Sequence, residues 1–169
     1  MNKSNSLEFA VYFIPSGNLY KTGSEIIGYD IREKSVFRKT RILQSHNNQP
    51  KEYGFHLTLT DVVEIKPNQI SQVFRRVGII CAIPLFKNIM LRPTKLGIMP
   101  NANIYALQFY NSVKLWLLHF LLVMYVQTLG NDSGYRHSRA KMSLWQKIKI
   151  KYFLSPYIFD DFLPHISLT

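Results

Sequence analysis

Two pentapeptides carry the residue types that phosphorus chemistry asks for: His56-Leu57-Thr58-Leu59-Thr60 and His165-Ile166-Ser167-Leu168-Thr169. Both read histidine, aliphatic, hydroxyl, leucine, threonine. In a β-strand, residues i, i+2 and i+4 line one face. Each segment therefore presents one histidine and two hydroxyls together and sends its aliphatic residues to the opposite face, where a core can take them. Cleaving a phosphodiester needs a base for the proton of the attacking oxygen and an acid for the leaving oxygen. Histidine does either near neutral pH, because its unperturbed pKa is about 6.5. Hydroxyls one pleat along can donate to the non-bridging oxygens, where charge has to be stabilised. This scheme needs no metal. The sequence has no HExxH, no CxxC and no carboxylate cluster, so neither a metal nor a cofactor is expected. Of the remaining histidines, His46 and His137 lie in polar, turn-like stretches and read as surface residues. His119 sits inside an apolar run and reads as a packed or edge histidine, not a ligand.

The elements that must position these groups follow from local pattern. A first strand is expected over residues 8–14, ended by Pro15-Ser16-Gly17. A polar stretch from Ser16 to Glu52 follows, with a turn cluster over 45–50 and a short helical or extended piece at 26–31. Residues 53–65 alternate and are rich in β-branched and aromatic side chains, which predicts a strand carrying the first motif. Pro67 fits a first helical turn, and Ile70, Val73, Phe74 and Val77 stand at i, i+3, i+4 and i+7 of a helix over 68–80. Strands are expected within 85–99 and over 104–110, with a turn at Pro100-Asn101-Ala102-Asn103 between them. Asn111 or Ser112 can cap an apolar helix that ends near Gly130, and Ser143 can cap another through Leu144–Phe153. The second motif falls on a last strand over 162–169. Pro164 before His165 favours extended backbone there but removes a ladder donor. Strands and helices interleave, which predicts an α+β fold with helices packed on antiparallel sheets.

Composition narrows the classes. The 169 residues suit one domain, or one built from two small lobes. Hydrophobic residues are 47% and aromatics 14%, which excludes wholesale disorder. A single cysteine, Cys81, excludes an intramolecular disulfide and any zinc site that needs two cysteines. Its apolar flanks, Val-Gly-Ile-Ile-Cys-Ala-Ile, predict a buried inert thiol and fit a reducing, cytoplasmic setting. The net charge of +11 asks for an anionic partner. No acidic residue occurs from Ile65 to Asn131, whereas Lys66, Arg75, Arg76, Lys87, Arg92, Lys95 and Lys114 do. They form either a solvated basic face or a wall beside an anion site. The N-terminus loosely mimics a signal peptide, but Glu8 and the lack of a cleavage pattern favour a strand. Leu115–Val126 is apolar all round yet too short to span a bilayer, so a buried core helix is expected and a membrane partner is not.

Two His-x-[Ser/Thr]-x motifs with more than half the chain between them resemble the signature of the 2H phosphoesterase superfamily. Further segments are similar to its branch associated with phosphonate-metabolism operons. They are Phe9-Ala10-Val11-Tyr12-Phe13-Ile14-Pro15, Gly28-Tyr29-Asp30 and Tyr53-Gly54-Phe55-His56-Leu57-Thr58-Leu59, then Ser143-Leu144-Trp145-Gln146 and Tyr157-Ile158-Phe159-Asp160-Asp161-Phe162, and last His165-Ile166-Ser167-Leu168. The likeness thins out between Gln69 and Lys141. It implies a bilobal fold of two pseudo-symmetric lobes, each an antiparallel sheet with helices, around a central cleft. The first lobe would cover about residues 1–100 and the second about 101–169. Family members continue through a further helix and strands after the second motif, so a second lobe ending at Thr169 is expected to be incomplete, from truncation or divergence. The resemblance implies metal-independent action, without a cofactor, on a cyclic phosphate or 2′–5′ phosphodiester of a nucleotide, RNA end or phosphosugar. By carry-over His56 and His165 are catalytic, Thr58 and Ser167 bind phosphate, and Tyr12 touches substrate; which histidine is the base stays open. The alternative is a catalytically decayed member that binds RNA or a nucleotide through its basic surface.

Overall fold

The computed structural model describes residues 6–37, 53–99, 104–133, 135 and 142–168. His46, His137, Thr169 and the turn expected at 100–103 lie outside them. The first expected strand is two: β1 (Leu7–Phe9) and β2 (Tyr12–Phe13). After them come α1 (Gly17–Ile27) and the hairpin of β3 (Tyr29–Asp30) and β4 (Ser35–Val36). The first-motif segment is also two strands, β5 (Leu57–Thr58) and β6 (Val63–Ile65). Both breaks share one cause. β1 pairs with β6 and β2 with β5, and between them Leu59 and Thr60 N–H both donate to the Val11 carbonyl. The Thr60 hydroxyl in turn accepts from Val11 N–H. A side chain stands in for a ladder bond there, so both strands bend at the same level.

A 3-10 turn at Pro67–Gln69 leads into α2 (Ile70–Cys81). Its buried residues are Val73 and Ile80, whereas Phe74, expected on the packed face, is 71% exposed. Cys81 is also exposed, contrary to its apolar flanks: one residue past Ile80, a helix has turned about 100° away from the core. Its thiol pKa is nevertheless pushed up by partial desolvation. Only one strand forms within 85–99, β7 (Pro93–Ile98), followed by β8 (Tyr105–Phe109), α3 (Val113–Tyr125), β9 (Asp132–Ser133), α4 (Leu144–Phe153) and β10 (His165–Ser167).

The mixture is α+β with small antiparallel sheets. The chain forms two compact units, one of residues 1–11, 59–90 and 111–163 and the other of 12–58, 91–110 and 164–169. In the first, a sheet of order β1-β6-β9 buries Val63 and Ile65 completely. α3 buries Leu115, Leu118, His119, Leu122 and Val123, an i, i+3, i+4, i+7, i+8 stripe. Trp116 and Phe120 cover a second side, stacked on each other, with Phe120 tilted against Phe159 and the indole N–H donating to the Phe159 carbonyl. A helix packed on more than one side has little use for a polar face, which accounts for the run's all-round oiliness. Ser112 caps it by accepting from Leu115 N–H, and Ser143 and Gln146 form a reciprocal capping box on α4. No helix among the described residues is long and apolar enough to cross a membrane.

The second unit holds a sheet of order β10-β8-β7, the two-stranded pairs β2-β5 and β3-β4, and α1. α1 was not legible in the polar stretch. Its buried face is Tyr20, Gly23, Ser24 and Ile27, at helical spacing but half of it made of small residues with no apolar signal. Gly28, at φ 85°, ends it and returns its N–H to the Ser24 carbonyl.

Candidate active site

The first motif is held by a turn that only glycine can make. Gly54 has φ +68°, and a Cβ there would meet the Ile31 Cβ at 2.8 Å. Phe55 is 1% exposed and lies against Gly23 of α1 so closely that a Cβ on Gly23 would overlap its ring. With Phe55 and Leu57 turned into the core, alternation turns His56 and Thr58 the other way. Thr58 stands opposite Tyr12 across the β2–β5 pair. The Tyr12 ring lies on the His56 imidazole, with centroids 4.0 Å apart and planes at 39°. Tyr53 approaches both rings edge-on at 6.3 Å.

His56 Nδ1 is 2.8 Å from the Gly54 carbonyl oxygen, which can only accept, so Nδ1 carries the proton. In the neutral ring Nε2 then keeps its lone pair. Burial holds the His56 pKa below its ordinary value; His165 lowers it further, against the Gly54 and Tyr53 backbone interactions that raise it. A neutral imidazole with Nε2 as acceptor is the form of a general base at neutral pH.

The second motif belongs to the same unit. Pro164 gives up a donor, but its carbonyl accepts from Phe109 N–H at 2.9 Å, and Leu168 N–H donates to the Tyr105 carbonyl. β10 is thereby tied to β8 at both ends, with His165 opposite Gln108, Ile166 opposite Leu107 and Ser167 opposite Ala106. Ile166 is fully buried, so His165 and Ser167 share the other face. β10 runs beside β5 without sharing a ladder with it. His56, Thr58, Tyr12, His165 and Ser167 are all half-buried and all within this unit.

Two expected contributions differ. The Thr60 hydroxyl does not join Thr58 on the histidine face: it is 2% exposed and is spent on Val11. The acid-free stretch is divided, with Lys66, Arg75, Arg76, Lys87 and Lys114 in the first unit and only Arg92 and Lys95 in the second. Sequence reasoning passed over Gln108, although a lone glutamine in Tyr105–Phe109 is the signal that could have found it. Among the described residues, no group of three or more His, Cys, Asp or Glu side chains could hold a metal ion.

His119 is the packed residue expected. It is 2% exposed, and its ring is stacked on Phe162 at 3.8 Å. Nδ1–H donates to the Leu59 carbonyl, and Nε2 accepts from Phe159 N–H. Burial lowers its pKa to about 4. Compared with protein-family models, curated proteins and solved structures, the chain matches none of them.

Proposed function

We propose that this chain is a metal-independent phosphoesterase of the 2H type. Its substrate is a cyclic phosphate or 2′–5′ phosphodiester of a nucleotide, RNA end or phosphosugar, and its setting is cytoplasmic. The observation that carries the reading is the His56 tautomer, Nδ1–H spent on the Gly54 carbonyl and Nε2 left as an acceptor, on a strand that runs beside the one carrying His165. In the proposed reaction His56 Nε2 takes a proton from water as the water oxygen bonds to phosphorus. The bond from phosphorus to the ribose or sugar oxygen breaks, and that oxygen takes a proton from His165. Thr58 and Ser167 donate to the non-bridging oxygens, whose charge grows as the fifth oxygen arrives. Tyr12 restrains the His56 ring by lying tilted against its face. The cycle ends with His56 protonated and His165 neutral, and exchange with solvent resets both.

The test is hydrolysis of nucleoside 2′,3′-cyclic phosphates at neutral pH by the wild-type chain, His56→Ala and His165→Ala. A positioned acid or base contributes about 10²–10⁴-fold. Each variant is expected to lose activity in that range while its melting temperature stays within a few degrees. Turnover unchanged in either variant rejects the proposal. Nucleotide binding that weakens with salt and persists in both variants, with no turnover in the wild type, identifies a binding module instead.

A further inference from the structure

On the sheet β10-β8-β7, the face that carries the second motif continues past it in two parallel rows. His165 stands opposite Gln108, and Gln108 opposite Lys95. Ser167 stands opposite Ala106, and Ala106 opposite Gly97. Cross-strand partners point to the same side of a sheet, so both rows share the His165 face. The second row is nearly side-chain-free beyond Ser167. The first carries an amide and then an ammonium.

Two details mark this surface as more than a plain sheet face. The Gln108 Nε2 is buried and has no hydrogen-bond partner among the described residues, although buried donors are nearly always paired. The Lys95 side chain is exposed and runs along its own strand, its Cε 3.6 Å from where a Gly97 Cβ would lie. A cation thus lies beside Gly97, one strand from an unpaired amide donor. Gln108 as a whole is only half-buried, so rotation about its side-chain bonds turns the amide outward when an acceptor arrives. Strands lie about 4.8 Å apart, so Lys95 starts roughly 10 Å from His165, farther than the reacting phosphate extends.

We propose that Gln108 and Lys95 form an anion subsite, open beside Gly97, that takes a second, non-reacting phosphate of the substrate. This rests on the phosphoesterase reading for what occupies the His165 end, and it adds a substrate class: esters with a phosphate besides the one cleaved. The Gln108 N–H and the Lys95 ammonium both donate to that phosphate, and no bond is made or broken there.

The experiment is calorimetric titration of the whole chain with adenosine 2′-monophosphate and adenosine 2′,5′-bisphosphate, for wild type, Gln108→Met and Lys95→Met, beside their melting temperatures. Wild type is expected to bind the bisphosphate at least tenfold more tightly. Each variant is expected to lose most of that advantage while binding the monophosphate within about twofold of wild type. Gln108→Met should melt at the same temperature or higher without ligand, because it removes an unpaired buried donor; a purely structural glutamine would melt lower. Equal affinity for the two ligands, or an advantage that survives both variants, overturns the subsite, as does failure to bind either ligand. Failure of the phosphoesterase reading shows separately, as absent turnover of cyclic phosphates alongside an intact bisphosphate preference.

Discussion

His119 and His56 are both histidines whose pKa burial lowers, and both donate Nδ1–H to a backbone carbonyl at 2.8 Å. They differ at the other nitrogen. Nε2 of His119 accepts from Phe159 N–H, and the ring is clamped flat on Phe162. Among the described residues Nε2 of His56 has no such tie to a backbone N–H, and its half-buried ring lies against Tyr12, on a strand beside the one that carries His165. A saturated imidazole is a structural strut. An imidazole with one nitrogen in hand and a second histidine nearby has the means to move protons. Burial and a depressed pKa do not separate the two; the count of committed nitrogens does.

The widest separation follows from deleting each ring. His56→Ala should cost activity by orders of magnitude and leave the fold intact, as the turnover assay above measures. His119→Ala should do the reverse. It opens a cavity and strips the Leu59 carbonyl and Phe159 N–H of their partners, which costs about 3 kcal/mol or more. For a domain of this size each kcal/mol is worth about 2–4 °C, so melting should fall by about 6–12 °C. A His119→Ala variant that melts like the wild type would mean that Nε2 saturation says nothing about role.

Acid sharpens the same comparison. His119 titrates near 6.5 when unfolded and at about 4 in the fold. Between those values the unfolded chain binds a proton that the fold refuses, so stability falls as pH drops through that window and is full above it. The whole shift corresponds to about 3 kcal/mol, of which about 2 is lost between pH 7 and pH 5. Urea unfolding at the two pH values measures it, and a His119→Gln variant should lose much less than the wild type over that interval. His56 shifts in the same direction. A neutral base with a lowered pKa keeps working below pH 6.5, so the acid limb of the activity profile should lie below the ordinary histidine value.

How much of this was legible in the sequence differs between the same two regions. The motif strands announce themselves because period-two alternation needs only adjacent residues: Leu57 and Ile166 inward, His56, Thr58, His165 and Ser167 on the other side. The helix carrying His119 was legible too, with the Ser112 cap and its apolar run, because caps and stripes are local. What failed was what depends on distant partners. The break at Thr60 is decided by Val11, and nothing in the alternation of residues 53–65 signals that its hydroxyl is needed there. α1 hides because its core contacts are made by the near absence of side chain at Gly23. Phe74 stands at an apolar helical spacing and Cys81 among apolar neighbours, and the direction of the helix face overrules both signals.

Gly23 and Gly78 test the smallest of these effects, and they should give opposite signs. Both are helical, in α1 and α2. Replacing a helical glycine by alanine ordinarily stabilises by about 0.5–1 kcal/mol, because alanine has less backbone freedom to lose. A Cβ on Gly78 would meet nothing within 4 Å, so Gly78→Ala should gain that amount and leave activity unchanged. A Cβ on Gly23 would overlap the Phe55 ring, which is 1% exposed and has no room to retreat. Overpacking of this kind costs about 1–3 kcal/mol, so Gly23→Ala should destabilise despite the helical gain. Phe55 stands between the Gly54 turn and His56, and its displacement shifts the carbonyl that fixes the His56 tautomer. Gly23→Ala should therefore also lower turnover several-fold. If it stabilises like Gly78→Ala, α1 does not hold the first motif in place, and the positioning of His56 has to come from the β2–β5 pair and the Tyr12 ring.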